Sequence, residues 1–300
     1  MRVFVTGATG YIGSAIAAEL VAAGHQVAGL ARSDEAATAL AAAGVGVHRG
    51  CLEDLDSLRR GVAGSDGVIH NAFQNVGPDT DFAASCRADQ RAVETMGEAL
   101  AGSGRPFVVT SGTAGLPPGR LATENDAPVP GSPRGATEEV ALSLAARDVR
   151  VSVVRLAPSV HSDADKRGFI PILIAIARAK GESAYIGAGS NRWAAVHRLD
   201  AARLFRLALE DAPPGAPLHA VGGEGVPFRD IAGIIGRHLN VPAVSVPADG
   251  AVDHFAWLAA FVQIDNPVSS TLTQAQLGWH PDGPGLIADL EAGHYFSDAG

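Results

Sequence analysis

Short apolar runs alternate with longer alanine-rich amphipathic stretches along the first half of the chain. "RVFVTG" is followed by "IGSAIAAELVAAG", "QVAGLAR" by "EAATALAAAG", and "VGVHRG" by "SLRRGVAGS". This alternation predicts strands joined by crossover helices. It continues through "GVIHNAF", "PFVVTSG" and "VRVSVVRLAPS", with predicted helices at about 82–102 and 133–147. Six strands in this order predict an α/β, Rossmann-type doubly wound parallel sheet.

After residue 160 the pattern changes to longer helical runs, such as "FIPILIAIARAKG" and "FRDIAGIIGRHLN", with joints rich in proline and glycine. These runs predict a smaller, mostly helical region that covers the carboxyl edge of the sheet. "VHRLDAARLFRLALEDA" at 196–212 predicts a return to the sheet, followed by a last strand in "PLHAVGG". We therefore predict a discontinuous sheet domain, 1–160 with 190–222, and a cover domain, 161–189 with 223–300.

Composition narrows the class of protein. With 300 residues, 47% of them hydrophobic and 18% charged, the chain can bury a large core and is not of the disordered type. Its formal net charge of −9 argues against a general nucleic-acid or anionic-membrane surface, although a local basic pocket can still hold a phosphate. We find no secretory signal and no apolar run of membrane-spanning length, and we expect Cys51 and Cys86 to be reduced thiols in a cytoplasmic protein.

Three glycines, Gly7, Gly10 and Gly13 in "VTGATGYIGSAIAAEL", follow the first predicted strand and open the first predicted helix. Glycines at this junction allow a tight turn and a close backbone approach to a pyrophosphate, whose charge is favourable at a helix N-terminus. Packing in a glycine-rich chain is the competing explanation. The placement after a strand favours a dinucleotide site.

The Gly-x-x-Gly-x-x-Gly spacing resembles that of the short-chain dehydrogenase/reductase superfamily, in particular its extended and atypical, epimerase/dehydratase-like members. "GVIHNAF", "TSGT", "RLAPSVHS" and "RWAAVHRLDAARL" resemble further motifs of that family along most of the chain. The resemblance implies that the sheet domain binds the cofactor and the cover domain binds the substrate. The cofactor-binding residues that it implies are Thr6, Gly7, Thr9, Gly10, Tyr11, Ile12, Gly13, Leu52, Asn71, Ala72, Phe73, Pro158, Ser159 and Val160.

The end of the second strand, "GLARSDE", bears on the choice of cofactor. An acidic residue there would bind the adenosine ribose, whereas Arg32 and Ser33 offer donors suited to a 2′-phosphate. We therefore predict NADP, with NADPH preferred over NADH; the alternative is a solvent-facing arginine in a turn. In "RGCLEDL" the family's adenine-contacting aspartate is replaced by Cys51, so adenine binding would depend on backbone near Leu52 or on the acids that follow.

The family carries a catalytic serine after its fifth strand and a Tyr-x-x-x-Lys pair on the next helix. The tyrosine transfers a proton at the substrate oxygen, and the lysine holds the cofactor ribose and lowers the pKa of the tyrosine. Ser111 fits the serine position, and Thr113 offers a second hydroxyl. Aligning "TENDAPVPGSPRGATEE" with the family places Arg134 at the tyrosine, Thr137 at a serine and Glu138 at the lysine.

No shift of this alignment restores the pair. Between residues 111 and 156 the chain contains neither residue type; its three tyrosines and two lysines are Tyr11, Tyr185, Tyr295, Lys166 and Lys180. The standard proton-transfer groups are therefore absent from their helix.

Several side chains are candidates to replace them. Arg134 cannot act as an acid, because guanidinium does not give up its proton in proteins, but it can clamp an anion or orient a carbonyl. Glu138 can pair with Arg134 four residues earlier or accept from a ribose hydroxyl. A purely structural interpretation competes, in which Ser132 caps the helix, Pro133 is its first residue and Glu138 complements its dipole. His161 after the sixth strand is a further candidate acid.

These features favour an NAD(P)H-dependent reductase or dehydrogenase of a small carbonyl or imine compound. Apolar runs in the cover domain, such as "DHFAWLAAFVQIDNP", favour a substrate with apolar area. An iminium substrate would need no proton, and a strongly electrophilic carbonyl would tolerate the missing acid. The alternatives are a catalytically silent NADP(H)-sensing regulator and an epimerase or dehydratase. We expect a small-molecule partner, no nucleic acid, no membrane and no metal, and the family implies a homodimer through helices 82–102 and 133–147.

Overall fold

The computed structural model describes residues 1–73, 77 and 80–297. A seven-stranded sheet forms its centre, and all six pairings between neighbouring strands are parallel. The order across the sheet is β3-β2-β1-β4-β5-β6-β10, so the prediction of a doubly wound α/β sheet is confirmed. The strands are β1 (Arg2–Thr6), β2 (Gln26–Ala31), β3 (Gly46–Arg49), β4 (Gly67–His70), β5 (Pro106–Gly112), β6 (Arg150–Leu156) and β10 (Ala216–Ala220).

Helices cover both faces of this sheet. Alternation along β1 shows why: Val3 and Val5 pack into the core with α1, α2 and α7, whereas Phe4 packs into the opposite core with α3, α4 and α5. The parallel strands are thereby buried on both sides, except β3 at the sheet edge, whose residues are exposed or half-buried. The helices are α1 (Tyr11–Ala22), α2 (Asp34–Ala42), α3 (Leu55–Ala63), α4 (Phe82–Leu100), α5 (Pro133–Ser143) and α7 (Arg198–Asp211).

The helix α7 packs against α1 on one face of the sheet. Its Arg206 Nε donates to Glu19 Oε1 of α1 at 2.8 Å, and Arg198 Nε donates to the carbonyl of Tyr11. The following strand, β10, pairs with β6 at the sheet edge.

The remaining elements lie beside the carboxyl edge of the sheet, and most of them build a second core. In addition to the expected helices it contains two small sheets, one of order β11-β9-β7 and one that pairs β12 with β8. Within the described residues, no helix combines the length and apolarity that a membrane span requires. The elements are β7 (Ser159–His161), α6 (Phe169–Lys180), β8 (Ser183–Ile186), β9 (Arg192–His197), β11 (Gly223–Pro227), α8 (Phe228–Leu239), β12 (Ala243–Val246), α9 (Ala251–Phe255), α10 (Ala259–Val262), α11 (Thr271–Leu277) and α12 (Leu286–Glu291). Val160 of β7 and Leu277 of α11 pack instead against the core that contains α1 and α7.

Candidate active site

The glycine motif forms a tight turn between β1 and α1. Gly7 has φ +73°, a conformation that favours glycine, and its carbonyl accepts from the Gly10 amide at 2.9 Å. A Cβ on Gly13 would lie 1.9 Å from that carbonyl, and a Cβ on Gly7 would lie 2.8 Å from the amide nitrogen of Ala72. The turn therefore has no room for side chains and presents bare backbone at the start of α1, as a pyrophosphate cradle requires.

The ends of β1 and β4 are joined by side chains predicted to lie near the cofactor. Thr6 Oγ1 lies 2.7 Å from His70 Nδ1 and accepts from the Ala72 amide at 3.2 Å. Asn71 Oδ1 accepts from Thr110 Oγ1 of β5 at 3.2 Å. This is the point at which the strand order reverses, where open α/β sheets bind their ligands.

The other residues implied by the family lie around the same edge. Ser33 is the N-cap of α2 and accepts from the Ala36 amide at 3.2 Å. Arg32 is exposed and has no hydrogen bond or ion pair with any described residue. Ser159 is buried, and its Oγ has no partner within the described part of the chain. Thr9 is exposed, and the half-buried members of the set are Tyr11, Ile12, Leu52, Phe73, Pro158 and Val160.

Arg134 lies at the start of α5, held against the ends of β4 and β5. Its Nη1 donates to Asp89 Oδ2 at 2.7 Å and its Nη2 donates to the carbonyl of Thr110 at 2.6 Å. The guanidinium carbon lies 4.3 Å from the centre of the Phe73 ring, a cation–π arrangement. The side chain is 19% exposed, so this cation is partly open at the sheet edge.

Glu138, one turn further along α5, does not form an ion pair with Arg134. Its Oε1 accepts from Arg155 Nε of β6 at 2.9 Å and also from Nη2, and both side chains are fully buried. The interpretation of Arg134 and Glu138 as a pair is therefore wrong, because each has a different partner from a distant segment. The helix start is as predicted: Ser132 Oγ accepts from the Gly135 amide, and Pro133 is the first residue of α5.

The two hydroxyls at the end of β5 differ in their surroundings. Ser111 is buried near the end of the strand, and its hydroxyl has no hydrogen-bond partner among the residues that the structure describes. Thr113 donates to Asn266 Oδ1 at 2.8 Å, and Asn266 Nδ2 donates back to the Thr113 carbonyl at 2.9 Å. Thr113 thus fastens a segment of the second core, whereas Ser111 keeps a free hydroxyl.

His161 is fully buried and bonded to the C-terminal part of the chain. Its Nδ1 lies 2.8 Å from Asp289 Oδ2, and its ring makes an edge-to-face contact with His197. Burial lowers the pKa of His161, an effect that the hydrogen bond to Asp289 opposes. The His161 imidazole is consequently less protonated at neutral pH than a free histidine, which makes it a weaker candidate for a general acid.

An apolar cleft lies next to the loop that follows β6. Phe169 packs against Trp193 and Phe261, with ring centroids 5.5 and 5.0 Å away. The Trp193 indole donates to the Phe261 carbonyl, so its polar edge is satisfied and its ring faces apolar neighbours. None of the lining side chains is charged; they are Ala114, Pro158, Phe169, Trp193, Phe261 and Ile264.

Sequence reasoning missed Asp89, the buried acid that holds Arg134. Its side chain is 2% exposed and lies on the inward face of α4 together with Cys86, Val93 and Met96. A charged residue on the apolar stripe of a helix was the available signal, because buried carboxylates need partners.

Comparison with known proteins gives one family and several relatives. Residues 3–220 match the model of the NAD dependent epimerase/dehydratase family. An uncharacterised protein of Schizosaccharomyces pombe is 49% identical over 298 residues, which span 99% of this chain and 100% of the relative.

Two relatives have names that state an activity. A 4-hydroxy-2-methyl-3-oxo-4-farnesyl-3,4-dihydroquinoline-1-oxide ketoreductase of Stigmatella aurantiaca is 28% identical, covering 89% of this chain and 84% of the relative. A 2-alkyl-3-oxoalkanoate reductase of Stenotrophomonas maltophilia is 29% identical, covering 81% and 77%.

Among solved structures, a dTDP-glucose 4,6-dehydratase of Streptomyces venezuelae with NAD bound superposes with a TM-score of 0.78. It is 20% identical, and the match covers 98% of this chain and 96% of that one. At this identity the likeness shows a common fold.

Proposed function

The chain belongs to the NAD-dependent epimerase/dehydratase family, and we propose that it is an NADPH-dependent reductase of a small carbonyl or imine compound with apolar surface. One observation carries the proposal: a held guanidinium is bonded to the residue that precedes a serine whose hydroxyl has no partner among the described residues. Arg134 is bonded to the carbonyl of Thr110, the residue directly before Ser111. The pair lies on the elements that carry the family's serine and its Tyr-x-x-x-Lys.

The cofactor site fits a dinucleotide, because at Gly7 and Gly13 backbone packs directly against backbone and forms the tight turn at the start of α1 that a pyrophosphate needs. That turn would hold the pyrophosphate, and the exposed, unpaired Arg32 would bind a 2′-phosphate. When bound, the reduced nicotinamide supplies a hydride. Phe73, Pro158 and Val160 are the half-buried residues that would flank the nicotinamide end.

In this mechanism Ser111 donates a hydrogen bond to the substrate oxygen and fixes its position. Arg134 has five N–H donors, of which Asp89 and Thr110 occupy two. The remaining donors stabilise the negative charge that develops on the oxygen, an effect for which single preorganised donors are worth about 10²–10³-fold. Because Arg134 keeps its proton, the proton that completes an alcohol comes from water, and an iminium substrate needs none.

We infer the substrate class from the chemistry of the apolar cleft. Its aromatic lining offers contact area without charge, which suits an alkyl, prenyl or aryl group better than a nucleotide sugar. The names of the two reductases support this choice, since both describe oxo compounds with hydrocarbon substituents.

A second candidate is a silent NADP(H) sensor. The absence of tyrosine and lysine between residues 111 and 156 favours it, because a regulator needs the cofactor site and no proton transfer. Epimerase or dehydratase activity, which the family name includes, is a third candidate and is weakened by the same absence.

The test is NADPH consumption with a panel of 2-alkyl-3-oxo esters, aryl ketones and cyclic imines. We expect Ser111→Ala and Arg134→Met each to lower kcat about 10²–10³-fold while the Kd for NADPH stays the same. Ser143→Ala and Arg147→Met, at exposed positions of the same helical segment, are the matched controls and should keep wild-type rates. Tight NADPH binding without turnover on any compound would instead support the sensor.

A further inference from the structure

We propose that Asp89 and His70 are positioning residues that hold Arg134 in its catalytic place and connect it to the cofactor turn through Thr6. The inference rests on the proposed role of Arg134. It concerns side chains that carry no role in the mechanism above and that lie behind the site, buried between α4 and the sheet.

The connection is a continuous chain of hydrogen bonds. Thr6 Oγ1 lies 2.7 Å from His70 Nδ1, and His70 Nε2 lies 3.0 Å from Asp89 Oδ1. The other oxygen of Asp89 accepts from Arg134 Nη1 at 2.7 Å. His70 and Asp89 are 1% and 2% exposed, so water does not compete for these bonds.

A neutral imidazole satisfies every member of this chain. The Ala72 amide donates to Thr6 Oγ1, and the Thr6 hydroxyl donates onward to His70 Nδ1. The Nε2–H of His70 then donates to Asp89, which accepts on both oxygens. Of the two neutral tautomers this one is assigned from the partners, because the other would set the lone pair of Nε2 against a carboxylate oxygen of Asp89.

Burial makes the arrangement rigid. A buried carboxylate is strongly destabilised without partners, so a rotation of Arg134 away from Asp89 would leave a charge with His70 alone. The Phe73 ring and the Thr110 carbonyl fix the guanidinium plane from two further sides. Arg134 is therefore held by residues that are distant in sequence, and a change at Asp89 should displace it even though Asp89 touches no substrate.

The test is Asp89→Asn, which keeps the size of the side chain and one acceptor oxygen. The amide that replaces Oδ2 would face Arg134 Nη1 donor to donor, or a flip would place it against His70. We expect kcat to fall about 10–100-fold, as misplacement by about 1 Å can do, with the Kd for NADPH and the KM within about twofold of wild type. Asp200→Asn, at a buried acid that pairs with Arg203, is the matched control and should keep kcat.

A double variant distinguishes positioning from a general loss of structure. If Asp89 acts through Arg134, then Asp89→Asn combined with Arg134→Met should be no slower than Arg134→Met alone. The proposal would be overturned if the double variant showed the product of the two single losses in kcat. It would also be overturned by an Asp89→Asn variant with wild-type kcat.

A readout that needs no turnover keeps this inference separate from the proposed function. In ¹H–¹⁵N spectra of arginine side chains, Arg134 should give protected Nη–H signals, because its Nη1 donates to Asp89 and its Nη2 donates to the Thr110 carbonyl. Asp89→Asn should abolish the protected Nη1 signal. If the wild-type protein reduces nothing, the proposed function fails while this spectrum still decides the positioning. An Arg134 signal that is unchanged in Asp89→Asn would refute it.

Discussion

Glu138→Gln tests whether the acid that the sequence alignment sets against the family's lysine is a cofactor ligand or half of a structural ion pair. In the structure Glu138 Oε1 accepts from Arg155 Nε at 2.9 Å, and Arg155 Nη1 also reaches His219 Nε2 at 3.0 Å. The glutamate and Arg155 are 1% and 2% exposed. Replacing the carboxylate leaves the guanidinium charged in a buried site, with a neutral amide as its nearest partner.

The expected loss is large, because removing one member of a buried pair costs about 3–5 kcal/mol. For a chain of this size about 1 kcal/mol corresponds to ~2 °C, so Tm should fall by about 6–10 °C. The Kd for NADPH should not change, since the contacts of Glu138 are with β6 and not with the cofactor turn.

Circular dichroism melting and fluorescence titration with NADPH measure the two quantities on the same protein. Glu139→Gln, at the exposed neighbouring acid, is the control and should alter stability by less than about 0.5 kcal/mol. Glu138→Leu combined with Arg155→Met should regain much of the lost stability, because no unpaired charge stays buried. A Glu138→Gln variant with unchanged Tm and weakened NADPH binding would refute this reasoning and restore the glutamate as a ribose ligand.

Two further predictions concern cofactor choice and pH. Arg32→Gln should weaken NADPH binding about 10–100-fold, the worth of a charge-assisted hydrogen bond, and leave NADH binding the same; equal effects on both cofactors would contradict the phosphate role. Burial lowers the pKa of His161 and of His219 in the folded chain, so the unfolded chain binds more protons below its ordinary histidine pKa of about 6.5. The stability from these two groups should therefore be fully present above about pH 6.5 and decline as the pH falls below it, with a smaller slope in His161→Gln and His219→Gln. A pH-independent Tm below about pH 6.5 would show that the two sites do not titrate on unfolding.

The order of elements was predictable from local pattern. Strands such as "RVFVTG" and "PFVVTSG" are buried on both faces and so appear as apolar runs, and the crossover rule leaves few topologies for them. The cofactor turn was predictable for the same reason, since Gly7 and Gly13 act through their own backbone within one strand–helix junction. The two small sheets of the second core were not predicted, because their strands are short and pair with partners far along the chain.

The sequence by itself determined the parallel α/β sheet, the glycine turn and, by a count, the absence of tyrosine and lysine from residues 111–156. Only the tertiary structure decided which partners the charged residues of that segment take. Arg134 and Glu138 are four residues apart on one helix, but Asp89 holds the first and Arg155 the second, at separations of 45 and 17 residues. The choice of partner depends on burial, because a charged side chain that is removed from water needs an opposite charge nearby and the packing determines which one that is. One helix turn is enough to place Arg134 and Glu138 in different environments.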